Sequence, residues 1–218
     1  TLPVEDLAEV TVPVDARGNV PNRRFPVVLL LHGRHEACAQ VGGKTPDPVP
    51  AWCPDGNKIP VPSYAGYRYL ADRLASQGRV VVSISANGIN GQDDSHDLGG
   101  TSRALLIAHH LTRLADASTR SVKGYGNRLT GHLDLSRTVL MGHSRGGEGV
   151  VRAAQMLADS RDKAFAIAGV IPLAPTSFAR MAPPTVPTVT ILPACDGDVA
   201  DLQGETYLDR GRDLYGSR

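Results

Sequence analysis

The sequence predicts an α/β fold, in which a mostly parallel, doubly wound sheet is flanked by helices. Apolar runs alternate along the chain with patterns of helical period, which is typical of parallel strands joined by helices. Two of these runs, residues 25–31 and 79–85, are almost continuously apolar, as expected of strands buried on both faces. The chain has 218 residues, enough for one domain with a real core, and we expect a single domain over residues 1–218.

Each predicted element is marked by its own periodicity. Residues 7–14 alternate between apolar and polar side chains, as an edge strand does. Residues 33–63 are rich in Gly and Pro, and we interpret them as a long loop insertion after the second strand. The other predicted elements are strands 25–31, 79–85, 137–142, 165–173 and 186–192 and helices 65–77, 101–117, 147–159 and 202–215.

Three of the helices have a predicted buried face, identified by apolar residues three or four positions apart. These faces are Tyr67, Leu70 and Leu74; Leu105, Ala108, Leu111 and Leu114; and Leu202, Tyr207, Leu208 and Leu214.

The most informative segment joins a predicted strand to a predicted helix. Residues 142–146 read Gly-His-Ser-Arg-Gly, a G-x-S-x-G pattern in the strand–turn–helix context that the motif requires. A nucleophile at such a turn has a strained backbone, so its neighbours two positions away must be small. The helix N-terminus adds a positive dipole near a developing oxyanion. The pattern favours Ser144 as a nucleophile over an ordinary Gly/Ser turn.

This segment, the sequence Leu-Leu-Leu-His-Gly-Arg at 29–34 and the order of the elements resemble the α/β-hydrolase superfamily over about residues 8–215. The form Gly-His-Ser-x-Gly-Gly is similar to the dienelactone-hydrolase, cutinase-like polyester-hydrolase and platelet-activating-factor-acetylhydrolase branches. Segments 85–90 and 195–199 look like a group of secreted actinobacterial hydrolases. The resemblance implies a serine ester hydrolase that works through an acyl-enzyme on Ser144 and needs no metal or organic cofactor.

The resemblance also implies an oxyanion hole made of two backbone N–H groups, those of Arg145 and Arg34. Backbone donors tolerate any side chain, so the two guanidinium groups are left either to bind an anionic substrate or to pair with local acids such as Glu36 or Glu148.

Two histidines lie beside these segments in the sequence. The resemblance makes His32 a structural residue that supports the loop after its strand. His143 precedes the nucleophile on a sharp turn, so we expect it to pack beside Ser144 and not to act as its base.

A triad in this fold has the chain order Ser, acid, His, and the acid follows a late strand. Residues 195–199 (Cys-Asp-Gly-Asp-Val) follow the predicted strand 186–192. The resemblance implies Asp196 as the triad acid, through the D-x-x-V spacing found in the similar families, with Asp198 as the substitute. An acidic turn or a cap for the last helix is the alternative.

No histidine follows Asp196, because all seven (His32, His35, His96, His109, His110, His132 and His143) precede it. The resemblance implies one further strand and then a loop carrying the catalytic histidine, and residues 1–218 lack both. The chain is therefore a fragment, is completed by a second chain, or is a catalytically silent relative used for binding or scaffolding. The first two are favoured, because an unpaired last strand would expose an open sheet edge. An amidase or acyltransferase would use the same site.

Cys38 and Cys53 flank a Gly- and Pro-rich stretch, and we expect a disulfide in preference to free thiols or metal ligands. A disulfide implies an oxidising, secreted location. His35 with these cysteines lacks a fourth zinc ligand at a recognisable spacing. Residues 91–97 are oxygen-rich like a calcium loop but lack the spacing of an EF-hand, so we predict a solvated, helix-capping loop there and no metal site.

Net charge and hydropathy limit the partners. A net charge of +1 gives no electrostatic case for nucleic acid or an anionic membrane, and no run approaches the ~20 apolar residues that span a bilayer. The expected partner is a small or polymeric ester. Trp52 and the aromatic residues of 64–69 are candidates to line an acyl pocket, with simple packing as the alternative.

Overall fold

The computed structural model describes residues 3–40, 53, 58–93, 96–158 and 164–216. Its main sheet has five strands in the order β1-β5-β2-β6-β7. β1 is antiparallel to β5, and the other neighbouring strands are parallel to each other. The bounds of these strands are β1 Ala8–Thr11, β2 Phe25–Leu31, β5 Val80–Ile84, β6 Leu133–His143 and β7 Ile167–Leu173. The predicted mostly parallel sheet is confirmed, with β1 as its antiparallel edge.

Helices cover both faces of this sheet. α1 packs on one face, against a cluster formed by Val28, Leu30 and Val81. α3 and α4 pack on the other face, in the larger cluster around Leu29 and Leu31. The helices are α1 Arg68–Ser76, α2 Asn87–Asn90, α3 Gly100–Thr119, α4 Arg145–Ala158 and α5 Glu205–Tyr215, and a 3-10 helix over Ser63–Tyr67 precedes α1. The doubly wound arrangement is confirmed, and within the described ranges no helix has the length and apolarity to cross a membrane.

The loop predicted over 33–63 contains two short strands, β3 (Cys38–Gln40) and β4 (Lys58–Pro60), which pair in antiparallel fashion. A disulfide joins Cys38 and Cys53, with Cα atoms 5.8 Å apart, and Cys53 is fully buried. The predicted disulfide is confirmed, so these sulfurs are not metal ligands. Trp52 lies outside the described residues.

The predicted face of α3 is confirmed at Leu111 and Leu114 and wrong at Leu105. Leu105 is 55% exposed, while Ala104, Ile107, Leu111 and Leu114 are fully buried. Consecutive leucines at 105 and 106 leave the phase of the apolar stripe ambiguous in the sequence, and contact with the sheet selects the stripe through Ala104.

The last helix begins at Glu205, three residues later than predicted, because Leu202 has a positive φ of 48° and cannot continue a helix. Of its predicted apolar face only Tyr207 is buried. Leu208 and Leu214 are 56% and 64% exposed.

The predicted strand 186–192 is not formed as a continuous strand. It runs parallel to β7 and meets it at two isolated bridges, Val170 with Thr188 and Leu173 with Ile191. The N–H groups of Val189 and Ile191 donate to β7 carbonyls over 3.0 Å each, but Pro187 has no N–H to extend the ladder. Val189 and Ile191 are 59% and 44% exposed along this edge.

Candidate active site

Ser144 occupies a tight turn between the end of β6 and the start of α4. Its φ is +54°, a conformation that non-glycine residues rarely adopt, and the residue is only 5% exposed. Its N–H donates to the Leu173 carbonyl over 3.0 Å, and its own carbonyl accepts from the Gly147 N–H over 2.8 Å. The strained backbone is held by hydrogen bonds on both sides, as a nucleophile elbow requires.

Close packing explains why both flanking positions are glycine. A Cβ atom on Gly142 would overlap the backbone of Gly146. A Cβ atom on Gly146 would lie 2.5 Å from the His32 carbonyl oxygen and 2.6 Å from that of Leu31. Any side chain at Gly142 or Gly146 would have to make these contacts, because its Cβ atom would collide with backbone atoms that cannot rotate away.

The loop after β2, which carries Gly33 and Arg34, passes beside Ser144. A Cβ atom on Gly33 would lie 2.9 Å from Ser144 Cβ and 3.0 Å from His143 Nδ1, so the backbone passes directly against the elbow. Within the described parts of the chain, the backbone N–H groups of Arg34 and Arg145 donate to no protein acceptor. Two unused donors therefore belong to residues that adjoin the elbow.

His32 holds this loop in place. Its Nε2 accepts the backbone N–H of Ala86 over 2.8 Å, which leaves Nδ1 to carry the proton and donate to the Gly33 carbonyl over 2.8 Å. Burial lowers the pKa of His32 to about 4, so the ring is neutral at pH 7. Asn90 also donates to the Gly33 carbonyl, over 3.1 Å. These contacts agree with the structural role predicted for His32.

The side chains of Arg34 and Arg145 face an acid that was not among those expected. Instead of Glu36 or Glu148, both approach Asp93: Arg145 Nη1 lies 2.5 Å from Asp93 Oδ2, and Arg34 Nε lies 3.9 Å from Oδ1. A third guanidinium, that of the fully buried Arg103, lies 3.3 Å from the same Oδ2. We refer to Asp93 with these three arginines as the Asp93 cluster.

The Glu148 carboxylate is instead hydrogen-bonded to the loop after β7. Its carboxylate accepts the hydroxyl of Thr176 and the backbone N–H groups of Phe178 and Ala179, at 3.0, 3.1 and 2.9 Å. Glu148 is only 3% exposed. The sequence signal for this contact is an acidic residue four positions after Ser144, on a Gly-rich helical turn.

Asp196, on the loop after residue 192, accepts two backbone hydrogen bonds. Its Oδ1 accepts the N–H groups of Asp198 and Val199 over 3.0 Å each, and these bonds hold the pKa of Asp196 below its usual range, with a smaller contribution from nearby His143. Removal from water lowers the pKa of His143, whose ring keeps some exposed surface, while the charges of Asp196 and Asp198 act in the opposite direction. Because His143 and Asp196 each change the pKa of the other, the loop that carries Asp196 and Asp198 lies near the elbow.

All seven histidines lie within the described ranges, and no hydrogen bond found there joins any of their rings to Ser144 Oγ. The two nearest the loop after β2, His32 and His35, stack with ring centroids 4.8 Å apart and bond to backbone carbonyls or to each other. Within the described residues, the structure therefore brings together Ser144 in a strained turn, two unused backbone donors and an acidic loop, but no histidine ring bonded to Ser144.

Two acids of the oxygen-rich segment 91–97, Asp93 and Asp97, lie among the described residues, and they bind different partners. Asp97 caps α3 by accepting the N–H groups of Gly99 and Thr101, which confirms the predicted capping role. Asp93 turns inward to the arginines, so the expectation of a solvated loop is wrong for it. Elsewhere in the described chain, no group of three or more His, Cys, Asp or Glu side chains is arranged to hold a metal ion.

Comparison with known proteins agrees with this geometry. A family model described as PET hydrolase-like matches residues 60–206. A bis(hydroxyethyl) terephthalate hydrolase of Streptomyces coelicolor is 33% identical over 147 residues, 66% of this chain and 40% of that protein. Cutinase est1 of Thermobifida alba is 33% identical over 60% of this chain and 38% of its own length, and a Thermobifida fusca cutinase is 30% identical over the same shares. The chain spans about two fifths of the length of these curated relatives. It belongs to the PET hydrolase-like family, within the α/β-hydrolase superfamily.

Proposed function

We propose that this chain provides the nucleophile, the oxyanion hole and the acid of a serine hydrolase that cleaves carboxylic esters. Ser144 attacks the ester carbonyl carbon and forms an acyl-enzyme, releasing the alcohol, and water then releases the acid. The N–H groups of Arg34 and Arg145 donate to the carbonyl oxygen as it gains negative charge. Asp196 orients the histidine that takes the proton of Ser144 and passes it to the leaving alcohol.

One observation carries this proposal: Ser144 has a positive φ, and glycines that cannot be replaced without backbone overlap lie on both sides of it. A strained, closely packed turn of this kind costs stability, and such turns are concentrated at functional sites. The unused N–H groups of the adjoining residues supply the electrostatic part of the same site.

The catalytic histidine is proposed to come from outside residues 1–218. No ring in the chain bonds to Ser144, whereas Asp196 is already fixed by two backbone donors, as an acid that must orient a histidine should be. The open, partly apolar edge at Val189 and Ile191 gives an additional polypeptide segment a place to pair.

The proposed substrates are small or polymeric carboxylic esters. The relatives are named as hydrolases of a terephthalate ester and as cutinases, which supports the ester class. Phe178, 44% exposed and 5.6 Å from the Arg145 guanidinium, gives an acyl group an aromatic surface close to the elbow. The Cys38–Cys53 disulfide supports a secreted, oxidising location for the protein.

The proposal is tested by labelling the chain with a fluorophosphonate and measuring its intact mass, with and without added imidazole. Imidazole supplies a diffusible base, so we expect slow formation of a single adduct that imidazole accelerates. Ser144→Ala should abolish the adduct. Ser177→Ala is the matched control, because Ser177 is equally buried on the neighbouring loop and has no assigned role.

The competing function is a catalytically silent hydrolase fold that binds or scaffolds, and the absence of a base on Ser144 among the described residues favours it. No adduct at any imidazole concentration would support that alternative. An adduct that survives Ser144→Ala would refute the nucleophile assignment. Labelling that needs no imidazole and rises with chain concentration would indicate that a second copy supplies the base.

A further inference from the structure

A cavity of about 370 Å³ lies under the β1 edge of the sheet and shares no lining residue with the candidate active site. Alternate residues of and after β1, namely Ala8, Val10 and Val12, form its apolar wall together with Leu129. Its polar lining comes from Asp6, His110, Arg113, Tyr125 and Arg128. We call this the β1-edge cavity. Its volume lies within the range of small-molecule sites, and its lining has the usual form of an apolar wall with a few convergent polar groups.

His110 is the most unusual residue of the β1-edge cavity. It is 1% exposed, and neither ring nitrogen has a hydrogen-bond partner in the described structure. The carboxylate of Asp6 comes no closer than 3.9 Å to Nδ1, beyond hydrogen-bond distance. A buried imidazole with two unmatched polar atoms is costly unless a bound group or water satisfies it.

The two arginines that line the cavity differ in whether an acid pairs with their charge. Arg113 Nη1 pairs with Asp6 over 3.1 Å and Nη2 donates to the Lys123 carbonyl over 2.7 Å, although its buried Nε has no partner. Asp6 also lies 3.5 Å from His109, so its single negative charge is shared. Arg128 is exposed, and no acid in the described ranges pairs with it. The cavity therefore has one uncompensated cation at an apolar wall.

We propose that the β1-edge cavity is a second binding site, for a small carboxylic acid with an apolar body and a further hydrogen-bonding group, such as a hydroxybenzoate. The carboxylate pairs with the Arg128 guanidinium, the body packs on Val10, Val12 and Leu129, and the hydroxyl satisfies a ring nitrogen of His110. A multiply charged phosphate fits less well, because Asp6 would repel it and the apolar wall would desolvate it without compensation.

The site is tested by NMR titration of the chain, labelled on Val and Leu methyl groups and on histidine nitrogens, with 4-hydroxybenzoate. We expect shifts confined to Val10, Val12, Leu129 and His110, with a Kd of ~1 mM, since a ligand of about ten heavy atoms gains only a modest affinity at an open site. Neutral 4-hydroxybenzamide, which has the same shape, should bind at least 5-fold more weakly.

Two variants separate the contributions. Arg128→Gln removes an exposed cation and should weaken 4-hydroxybenzoate at least 5-fold while leaving the amide unchanged, whereas Arg24→Gln, at an exposed arginine outside the cavity, should leave both unchanged. His110→Phe should weaken the acid and the amide alike. Shifts spread over the surface, equal affinity for acid and amide, or a high-resolution structure with only water at His110 in 20 mM 4-hydroxybenzoate would overturn the proposal.

Discussion

Replacing Asp93 by Asn should destabilise the protein by about 3 kcal/mol, because it removes the only carboxylate within salt-bridge distance of Arg103 in the described structure. Arg103 is fully buried, and desolvation already lowers its pKa. Its other hydrogen bonds go to the Asn90 side chain and the Leu98 carbonyl, which are neutral and cannot balance its charge. The effect lies at the lower end of the range for a broken buried pair because Glu148 also acts on Arg103 at longer range.

Urea unfolding followed by circular dichroism measures this change. With an m-value of roughly 2–3 kcal/mol/M for a chain of this size, the midpoint should fall by about 1 M or slightly more. Asp134→Asn is the matched control, since Asp134 pairs with the 60%-exposed side chain of Arg137 and its loss should cost at most ~1 kcal/mol.

The decisive variant is the double mutant Asp93→Asn with Arg103→Met. If the loss of stability comes from the buried Arg103 charge that is left without a carboxylate, removing that charge should recover a large part of the lost stability. The effects of the two substitutions should then be strongly non-additive. A loss below 1 kcal/mol for Asp93→Asn, or additive losses in the double mutant, would refute the reasoning.

Three further predictions concern other parts of the chain. Gly146→Ala should destabilise the protein by on the order of 3 kcal/mol and abolish fluorophosphonate labelling, because its Cβ would lie 2.5 Å from a backbone oxygen. Thermal unfolding and intact mass measure these two effects, and wild-type values of both would contradict the prediction. Cys38→Ala with Cys53→Ala should lower the free energy of unfolding by roughly 3 kcal/mol, measured in urea against Cys195→Ala as control. The pKa of buried His110 is lowered to about 4, so the unfolded chain binds its proton first and stability present above about pH 6.5 is lost as the pH falls toward 4. His110→Phe should remove roughly 3 kcal/mol of that acid dependence in urea titrations at several pH values, and an unchanged acid dependence in this variant would contradict the prediction.

The parts of the fold that depend on local sequence could be predicted. β2 was identified because both of its faces are buried, which requires an uninterrupted apolar run. The elbow was identified because the steric demand of Ser144 acts on residues only two positions away. In both cases the physical constraint and its sequence signature lie within the same few residues.

The parts that depend on distant partners could not be predicted. Asp93 meets Arg34 and Arg145 across separations of more than fifty residues, and no spacing in the sequence indicates that they share one carboxylate. The segment 186–192 has strand-like composition, but a ladder on one side only, interrupted by Pro187, leaves it as isolated bridges. The cavity at His110 arises where β1, α3 and the loop near residue 125 meet, so no single segment shows it.

Three carboxylates fix the loops around the elbow, and their arrangement explains which part of catalysis this chain can supply. Glu5 accepts the N–H groups of Asn87 and Gly88 at the start of α2, over 2.7 and 2.8 Å. Asp93 binds the arginine side chains of the proposed oxyanion residues, and Glu148 ties down the loop after β7. None of these acids takes part in the proton transfer of the proposed mechanism.

These acids fix the backbone of the loops around the elbow before any substrate binds. The electrostatic part of the proposed site is therefore complete without a histidine. Oxyanion stabilisation and substrate binding alone retain about 10³–10⁴-fold acceleration over water in triad enzymes stripped of their side chains. On the proposed assignment, the chain should therefore acylate slowly at Ser144 when a diffusible base is added. Loss of Glu5 should then slow this acylation without changing its dependence on imidazole, because Glu5 holds the start of α2, whose Asn90 bonds to Gly33 beside the proposed donor Arg34, and takes no part in moving the proton. A changed imidazole dependence in Glu5→Gln would show that the donors and the base are not separable in this way.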